Sequence, residues 1–470
     1  MCFRGWRSVS DIKDLKIGLE IHIYPMTETK MFCRCSASFL EAPPNTNVCP
    51  VCAGQPGAKP MPPNARAVRA GMQLADVFGM KISNNPVVTM RKHYFYPDLP
   101  SNYQRTAEPL AIGGAIGKCG LREIHFEEDP GQYDLAKGIV DLNRSGVPLL
   151  ELVTEPDLKS SAEARALLTD VLFALEYLQI SREEMPFKVD TNISAGGGKR
   201  VEVKNINSLS GVVKALDFEA SRQSELLSRG ASVLQETRHF DAVNGSTAPL
   251  RYKETVEDYR YLPDPDIRPV HPGSVNYERH ENPFLILAGL RSEGSSEADA
   301  RTIIVDRHLL NAYNQLAARC GARFSSVFVA RDIKAELNYR KLHSSAIGPL
   351  LGGLLEIAVA YSASRLSNRN ATALLRTLFD GGSIHPAIEE LSEGWLGRSA
   401  IDAVAANVVS GHPEAAGKYR KGNTEVINYF VGLCMKETRG KATSADIISA
   451  LKRVLDEAEG ESDEGSEQRK

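Results

Sequence analysis

The feature that most limits the fold of this chain is two-residue alternation in segments that also carry carboxylates. From Leu15 to Tyr24, Leu15, Ile17, Leu19, Ile21 and Ile23 alternate with Lys16, Gly18, Glu20, His22 and Tyr24. Side chains on a strand point to opposite faces with period two, so Glu20 and His22 share one face while the aliphatic residues pack behind. Arg122–Asp129 alternates similarly, with Arg122, Ile124, Phe126 and Glu128 on one face and Glu123, His125, Glu127 and Asp129 on the other. By this reading Glu128 continues the more buried face and Glu127 looks to solvent. In Val147–Val153, read VPLLELV, Glu151 sits among apolar neighbours on both faces. A carboxylate there is costly unless paired or bound to metal.

A hairpin is expected next. Phe187, Val189, Thr191 and Ile193 face one way and Lys188, Asp190, Asn192 and Ser194 the other. Gly196-Gly197-Gly198 supplies the turn, and Arg200–Lys204 returns with Val201 and Val203 inward. Charges on a solvated hairpin would give the same pattern. The turn is no phosphate loop, because Gly198-Lys199 is followed by Arg200, and no G-x-G-x-x-G occurs. Between these segments, Ser160-Ser161 opens a helix that Glu163 is placed to cap.

Cysteine spacing adds a second constraint. Cys33-Arg34-Cys35 and Cys49-Pro50-Val51-Cys52 form two close pairs, the ligand spacing of a tetrahedral four-thiolate zinc site. Such a site leaves no position for water and would be structural. A redox C-x-x-C, for which a thioredoxin-like context is lacking, and four unrelated reduced thiols are the alternatives.

Glu20, His22, Glu128, Glu151 and Asp190 together offer oxygen and imidazole donors from strands whose polar faces can converge. Several carboxylates and an imidazole suit a hard divalent ion such as magnesium or manganese. Two such ions would suit phosphoryl transfer, with Arg200 and Lys204 on phosphate oxygens.

With 470 residues the chain has room for about three domains. Its 56 Lys and Arg against 59 Asp and Glu exclude a uniformly basic nucleic-acid binder. The longest apolar run, Ile347 to Tyr361, is interrupted by Gly348, Pro349, Gly352, Gly353 and Glu356, so no membrane span is expected. The N-terminus lacks a signal-peptide stretch, and a cytoplasmic protein is expected. After Arg291 the pattern turns helical, with segments near 296–320, 329–341, 347–363, 370–380 and 385–394, then a smaller block over 401–459. The charged stretch 461–470 reads as disordered.

The segments IGLEIHIYPMTETKMFC, PNTNVCPVCAGQPGAKP, RKHYFYPDLPSNYQ, IHFEEDPGQ, DLNRSGVPLLELVTEPD, KVDTNIS, RVEVKNINS, QETRHFD and DYRYLPDPD closely resemble the B subunit of the tRNA-dependent aspartyl/glutamyl-tRNA amidotransferases. Order and spacing match over residues 15–268 and continue more loosely to YRKGNTEVINYFVGLCMKETRGKATSADIISALK. The resemblance implies an α+β cradle-shaped catalytic domain (1–291, with a zinc-knuckle insert at about 33–52). It further implies an all-α helical domain (292–400) and a small helical, YqeY-like tail domain (401–460).

It also implies a glutamine-hydrolysing, ATP-dependent carbon–nitrogen ligase. In that family the B subunit uses ATP and Mg²⁺ to phosphorylate the side-chain carboxylate of mischarged Asp-tRNA(Asn) or Glu-tRNA(Gln). Ammonia from a partner amidase (A) subunit then displaces phosphate, in a heterotrimer completed by a small linker (C) subunit. Residue by residue, the resemblance makes Glu20, His22, Glu128, Glu151 and Asp190 the metal-binding and catalytic set and Cys33, Cys35, Cys49 and Cys52 the zinc ligands. Asn192, Lys204 and Asn205 lie beside the set and, with Arg200, are expected to orient phosphate or substrate. Lys188 stands where many members have Arg, losing the planar bidentate fork.

From Lys418 to Arg453 eight basic residues face three acidic ones, a local charge of +5. Lys418, Arg420, Lys421, Lys436, Arg439 and Lys441 are thereby expected to hold tRNA phosphates; a solvated helix surface is the alternative. A related Glu-tRNA(Gln)-specific E subunit carries an inserted domain, for which the about 30 residues between Asp266 and Ala298 leave no room. A non-catalytic zinc-stabilised tRNA-binding scaffold would need no acidic cluster near its anionic ligand.

Overall fold

A computed structural model describes residues 14–460 apart from 135, 183, 185–186, 253–258, 393–395, 421 and 439–440. The chain divides into two compact units, Met1–Pro283 and Phe284–Lys470.

The first unit is built on one large mixed sheet. Its strands are β1 (Lys16–Ile23), β2 (Lys81–Ile82), β3 (Thr89–His93), β4 (Tyr103–Ala107), β5 (Ala111–Ile112), β6 (Ala115–Ile116) and β7 (Cys119–Glu128). After a small separate ribbon of β8 (Gln132–Asp134) and β9 (Ile139–Asp141) come β10 (Pro148–Thr154), β11 (Phe187–Ser194), β12 (Val201–Ile206), β13 (Glu236–Asp241), β14 (Ser246–Tyr252) and β15 (Leu262–Pro263). The main path runs β14-β13-β12-β11-β1-β10-β7-β4-β3-β15, antiparallel except between β12 and β13.

The alternation in β1 explains its central place. Ile17, Leu19, Ile21 and Ile23 are essentially fully buried, and with Leu150, Leu152, Ile124, Phe126, Val189 and Ile193 they make one apolar face. Helices α1 (Ala65–Val77), α2 (Ser161–Leu178) and α3 (Leu209–Ser228) cover that face. Each helix starts at a side-chain cap: Asn64 accepts from Arg66 and Ala67, Ser160 from Glu163, and Ser208 from Gly211. Glu163 in turn accepts from the Lys159 amide at 2.6 Å, fixing the entry to α2. The hairpin of β11 and β12 turns at Gly196 and Gly197, whose φ of 53° and 73° favour glycine.

The described elements of the second unit are helical. They are α4 (Pro283–Ser292), α5 (Glu297–Ile304), α6 (Arg307–Cys320), α7 (Ala322–Val327), α8 (Lys334–Arg340), α9 (Ile347–Ser362), α10 (Asn368–Phe379), α11 (His385–Ser392), α12 (Arg398–Ser410), α13 (Pro413–Arg420), α14 (Val426–Glu437) and α15 (Ser444–Gly460). The segment expected as one helix over 296–320 is two, because Asp306 caps the start of α6. One helical stretch, Ser344–Ser362, is long and apolar enough to cross a membrane by length and composition. Pro349 does not break it, since it falls in the first turn of α9, where an amide would lack a helical partner. Ile347, Leu354, Ile357 and Ala358 are buried, and α9 packs on α6 and α10. Helices α12 to α15 share a separate core of Ile401, Ala405, Phe430, Cys434, Ile447 and Leu451.

Candidate functional site

The sheet face away from α1–α3 is polar, and strand register assembles it. Glu20 pairs across from Asp190 on one side, and His22 from Glu151 on the other. Glu151 lies opposite His125, and Leu149 opposite Glu127. Directly opposed residues of a sheet share a face, so four strands deliver Glu20, His22, His125, Glu127, Glu151 and Asp190 to one face, where all of these but His125 line a cleft of about 860 Å³. Lys92, Arg144, Lys188, Arg200 and Lys204 also line it.

Two three-donor groups result, each with its ligand atoms within 4.8 Å of one another. In the first, His22 Nε2 is 3.7 Å from both Glu127 Oε1 and Glu151 Oε2, and His125 Nε2 meets Glu151 Oε2 at 3.0 Å. Burial alone would raise the Glu151 carboxyl, but His125 and His22 overcome it and hold the group below the ordinary carboxylate range. Burial, with the Glu151 charge beside it, pushes Glu127 up to about 7. Burial disfavours charge on His125, yet the Glu151 carboxylate raises it to about 9. One imidazole and two carboxylates are a donor set that fits a divalent cation.

The second group is Glu20, Asp190 and Glu202, and an ammonium already serves it. Lys204 Nζ donates to Asp190 Oδ2 at 2.6 Å and lies 2.9 Å from Glu202 Oε1. Burial opposes the Lys204 charge, but Asp190 and Glu202 hold its pKa well above the ordinary value. Asn192 donates to Glu20 Oε1 at 2.9 Å, and the Asn205 amide to Asp190 Oδ1 at 3.2 Å. Burial and then the Glu151 charge raise Glu20.

Glu128 does not join this site, which corrects the expectation from the sequence. It follows the pleat of Ile124 and Phe126 to the opposite face, where its Oε1 accepts from the Arg105 amide at 3.1 Å and the Arg105 guanidinium at 3.2 Å. Arg105 also donates to Asp264. The carboxylate in the cleft is Glu127, expected at solvent but buried. Alternation puts Glu127 on the face of His125, and the register that sets His125 across from Glu151 turns that face to the cleft.

Sequence reasoning also passed over a group at one end of the cleft. Tyr24 Oη donates to Asp129 Oδ2 at 2.7 Å, Arg144 Nε lies 3.2 Å from the same oxygen, and Lys188 Nζ lies 3.5 Å away. Lys188 also sits 5.0 Å over the Tyr24 ring, and burial lowers its pKa.

Beyond the cleft, Cys33, Cys35, Cys49 and Cys52 converge, their sulfurs within 4.8 Å of one another. Cys52 Sγ is 3.9 Å from both Cys35 Sγ and Cys49 Sγ. Zinc–sulfur bonds of about 2.3 Å require tetrahedral edges of about 3.8 Å, so the thiols fit that ion. In the second unit Lys418, Lys436 and Lys441 are exposed; Lys421, Arg439 and the side chain of Arg420 lie outside the described residues.

A polar face on a mixed sheet, followed by helices alone, is the arrangement of a catalytic domain with an all-helical extension, and the family comparisons agree. Residues 15–276 match the GatB/GatE catalytic domain, and residues 311–455 match the GatB domain. The chain belongs to the family of aspartyl/glutamyl-tRNA(Asn/Gln) amidotransferase B subunits. It is 40% identical to that subunit of Methanothermobacter thermautotrophicus over 453 residues, covering 94% of this chain and 100% of the relative. Identity is 38% over 449 residues with that of Methanobrevibacter smithii (93% and 99% covered) and 37% over 469 with that of Methanocaldococcus jannaschii (96% and 99%).

Proposed function

We propose that this chain activates the side-chain carboxylate of Asp-tRNA(Asn), Glu-tRNA(Gln) or both with ATP, and then converts it to the amide. The observation that carries the reading is the pairing of an imidazole–carboxylate group, His22, Glu127 and Glu151, with a ring of cations in one cleft. Lys92 and Arg200, together with Arg144 and Lys188 where they meet Asp129, suit a polyphosphate, and the Lys204 ammonium offsets part of the charge of Glu20, Asp190 and Glu202.

A carboxylate is a poor electrophile, and phosphorylation gives it a leaving group. The substrate carboxylate oxygen attacks the terminal phosphorus of ATP, and ADP leaves with the electrons of the broken P–O bond. Ammonia then attacks the acyl carbon, the C–O bond to phosphate breaks, and the nitrogen loses a proton. His22, Glu127 and Glu151 would hold a magnesium ion, which when bound neutralises phosphate charge. Asn192 and Asn205 orient Glu20 and Asp190, and Lys204 fixes the strand faces on which the substrates align. Ammonia would come from an amidase (A) subunit, with a small linker (C) subunit completing the assembly. The exposed lysines of α13, α14 and the α14–α15 connection suit tRNA phosphates, and a zinc ion held by the four cysteines would stabilise the fold.

The test is ATP-dependent conversion of Asp-tRNA and Glu-tRNA, assayed separately with ammonium as the nitrogen donor. Wild type is expected to form amide on at least one. Unchanged phosphorylation in both Glu127→Gln and Asp190→Asn would refute the site.

A further inference from the structure

Lys30 is 1% exposed, and no step of the proposed chemistry uses it. Its ammonium has three protons and three partners: the Asn47 carbonyl at 2.8 Å, the Leu142 carbonyl at 3.2 Å and Cys52 Sγ at 3.4 Å. Four thiolates around a zinc ion leave a net double negative charge, and burying net charge is unfavourable unless a counter-charge is close. An ammonium touching one sulfur supplies it.

The other two partners belong to different parts of the unit. Asn47 lies in the cysteine segment, and its amide donates to Asn143 Oδ1 at 2.8 Å. Leu142 opens the turn to Val147, which is bound to the cysteine segment at further points: Ser145 Oγ donates to the Cys52 carbonyl at 2.8 Å, and the Met31 amide to the Gly146 carbonyl at 2.7 Å. That turn presents Arg144 to Asp129 in the cleft, and the Gly146 amide donates to the Asp129 carbonyl at 2.9 Å. Gly146 has a φ of +84°, and a Cβ there would meet Cys52 Cβ at 3.4 Å and Lys30 Cδ at 3.5 Å.

We propose that Lys30 is a positioning residue that couples the four-thiolate site to the cleft, its charge compensating Cys52 while its other hydrogen bonds hold the turn carrying Arg144. This rests on the zinc reading given above. Zinc and Lys30 then act on one element: removing either loosens residues 142–147 and with them the Arg144–Asp129 contact.

The test uses the full chain, its Lys30→Gln variant, which keeps an amide donor but loses the charge, and Lys30→Met. Zinc content is measured on the wild type, zinc transfer to a chromophoric chelator on all three, and amide exchange at Ser145, Gly146 and Val147 against amides of β1. Both variants are expected to release zinc at least about 10-fold faster, the scale of lost outer-shell partners, and to speed exchange at 145–147 while leaving β1 unchanged. Zinc-stripped wild type is expected to show the same local acceleration, a readout that stands even where the variants fail to fold. Zinc release at the wild-type rate in Lys30→Gln, or unchanged exchange at 145–147 after stripping, would overturn the role of Lys30 with the zinc site intact. Wild type that neither contains zinc nor takes it up would overturn the zinc reading and this proposal with it.

Discussion

Glu127 and Glu128 are neighbours in the chain and occupy opposite faces of the sheet. Glu127 lies 3.7 Å from His22 in the cleft, and Glu128 lies 3.2 Å from Arg105 on the other side. Their substitutions are expected to separate chemistry from stability. Glu127→Gln keeps the shape of the side chain but removes a charge beside His22; phosphorylation should fall roughly 100-fold with little change in the melting midpoint. Glu128→Ala leaves Arg105 buried with one carboxylate fewer, and should cost about 3 kcal/mol. Paired chemical denaturation and ATP-consumption assays check both. A catalytic loss confined to Glu128→Ala would reverse the assignment.

The fold was legible where alternation and register agree. The apolar face of β1, the hairpin turning at Gly196, and the Ser160 cap all follow from local sequence. The site was less so, because membership depends on which strands pair and in what register, and the partners of Glu20 and His22 lie more than a hundred residues away. A two-residue repeat says that Glu127 and Glu128 part company, but only the register opposite Leu149 and Glu151 says which faces the cleft. Alternation puts Glu128 on the more buried face with Ile124 and Phe126; its compensation there is Arg105, which lies 23 residues earlier and carries no local signal of that role.

Arg105 and Arg91 also act on Asp264, and this predicts a pH dependence. Burial would raise the Asp264 carboxyl, but hydrogen bonds from Arg91 and Arg105 hold it below the ordinary value. A carboxyl depressed in the folded state contributes stability that is present above its unfolded pKa, about 3.9, and lost as pH falls through the folded value. The advantage of wild type over Asp264→Asn in urea melts is therefore expected in full near neutrality and to shrink as pH falls from about 4. An advantage that stays constant to acid pH would disprove the linkage.

Lys204 is expected to set how many divalent ions the cleft can take. Its ammonium spans Asp190 and Glu202, which, of the two donor groups described in the cleft, leaves His22, Glu127 and Glu151 for a cation. Mn²⁺ titration of wild type by electron paramagnetic resonance is expected to show about one tight site, and Lys204→Met about two, since three carboxylates without a counter-ion are a hard-cation site. Two sites in the wild type would refute the role of Lys204.

The basic residues of the last helices predict a different signature, because phosphate contacts act through counterion release. The logarithm of affinity falls linearly with the logarithm of salt concentration, by about 0.7 to 0.9 per phosphate neutralised. Lys418, Lys436 and Lys441 are exposed and distant in sequence from the cleft residues. Replacing all three with Ala is expected to lower the slope for tRNA binding by roughly 2 to 3, while ATP binding to the chain is unchanged. Filter binding over a range of potassium chloride measures the slope directly. A triple variant with the wild-type slope would assign these lysines to ordinary solvated helix surface and place the tRNA contacts elsewhere.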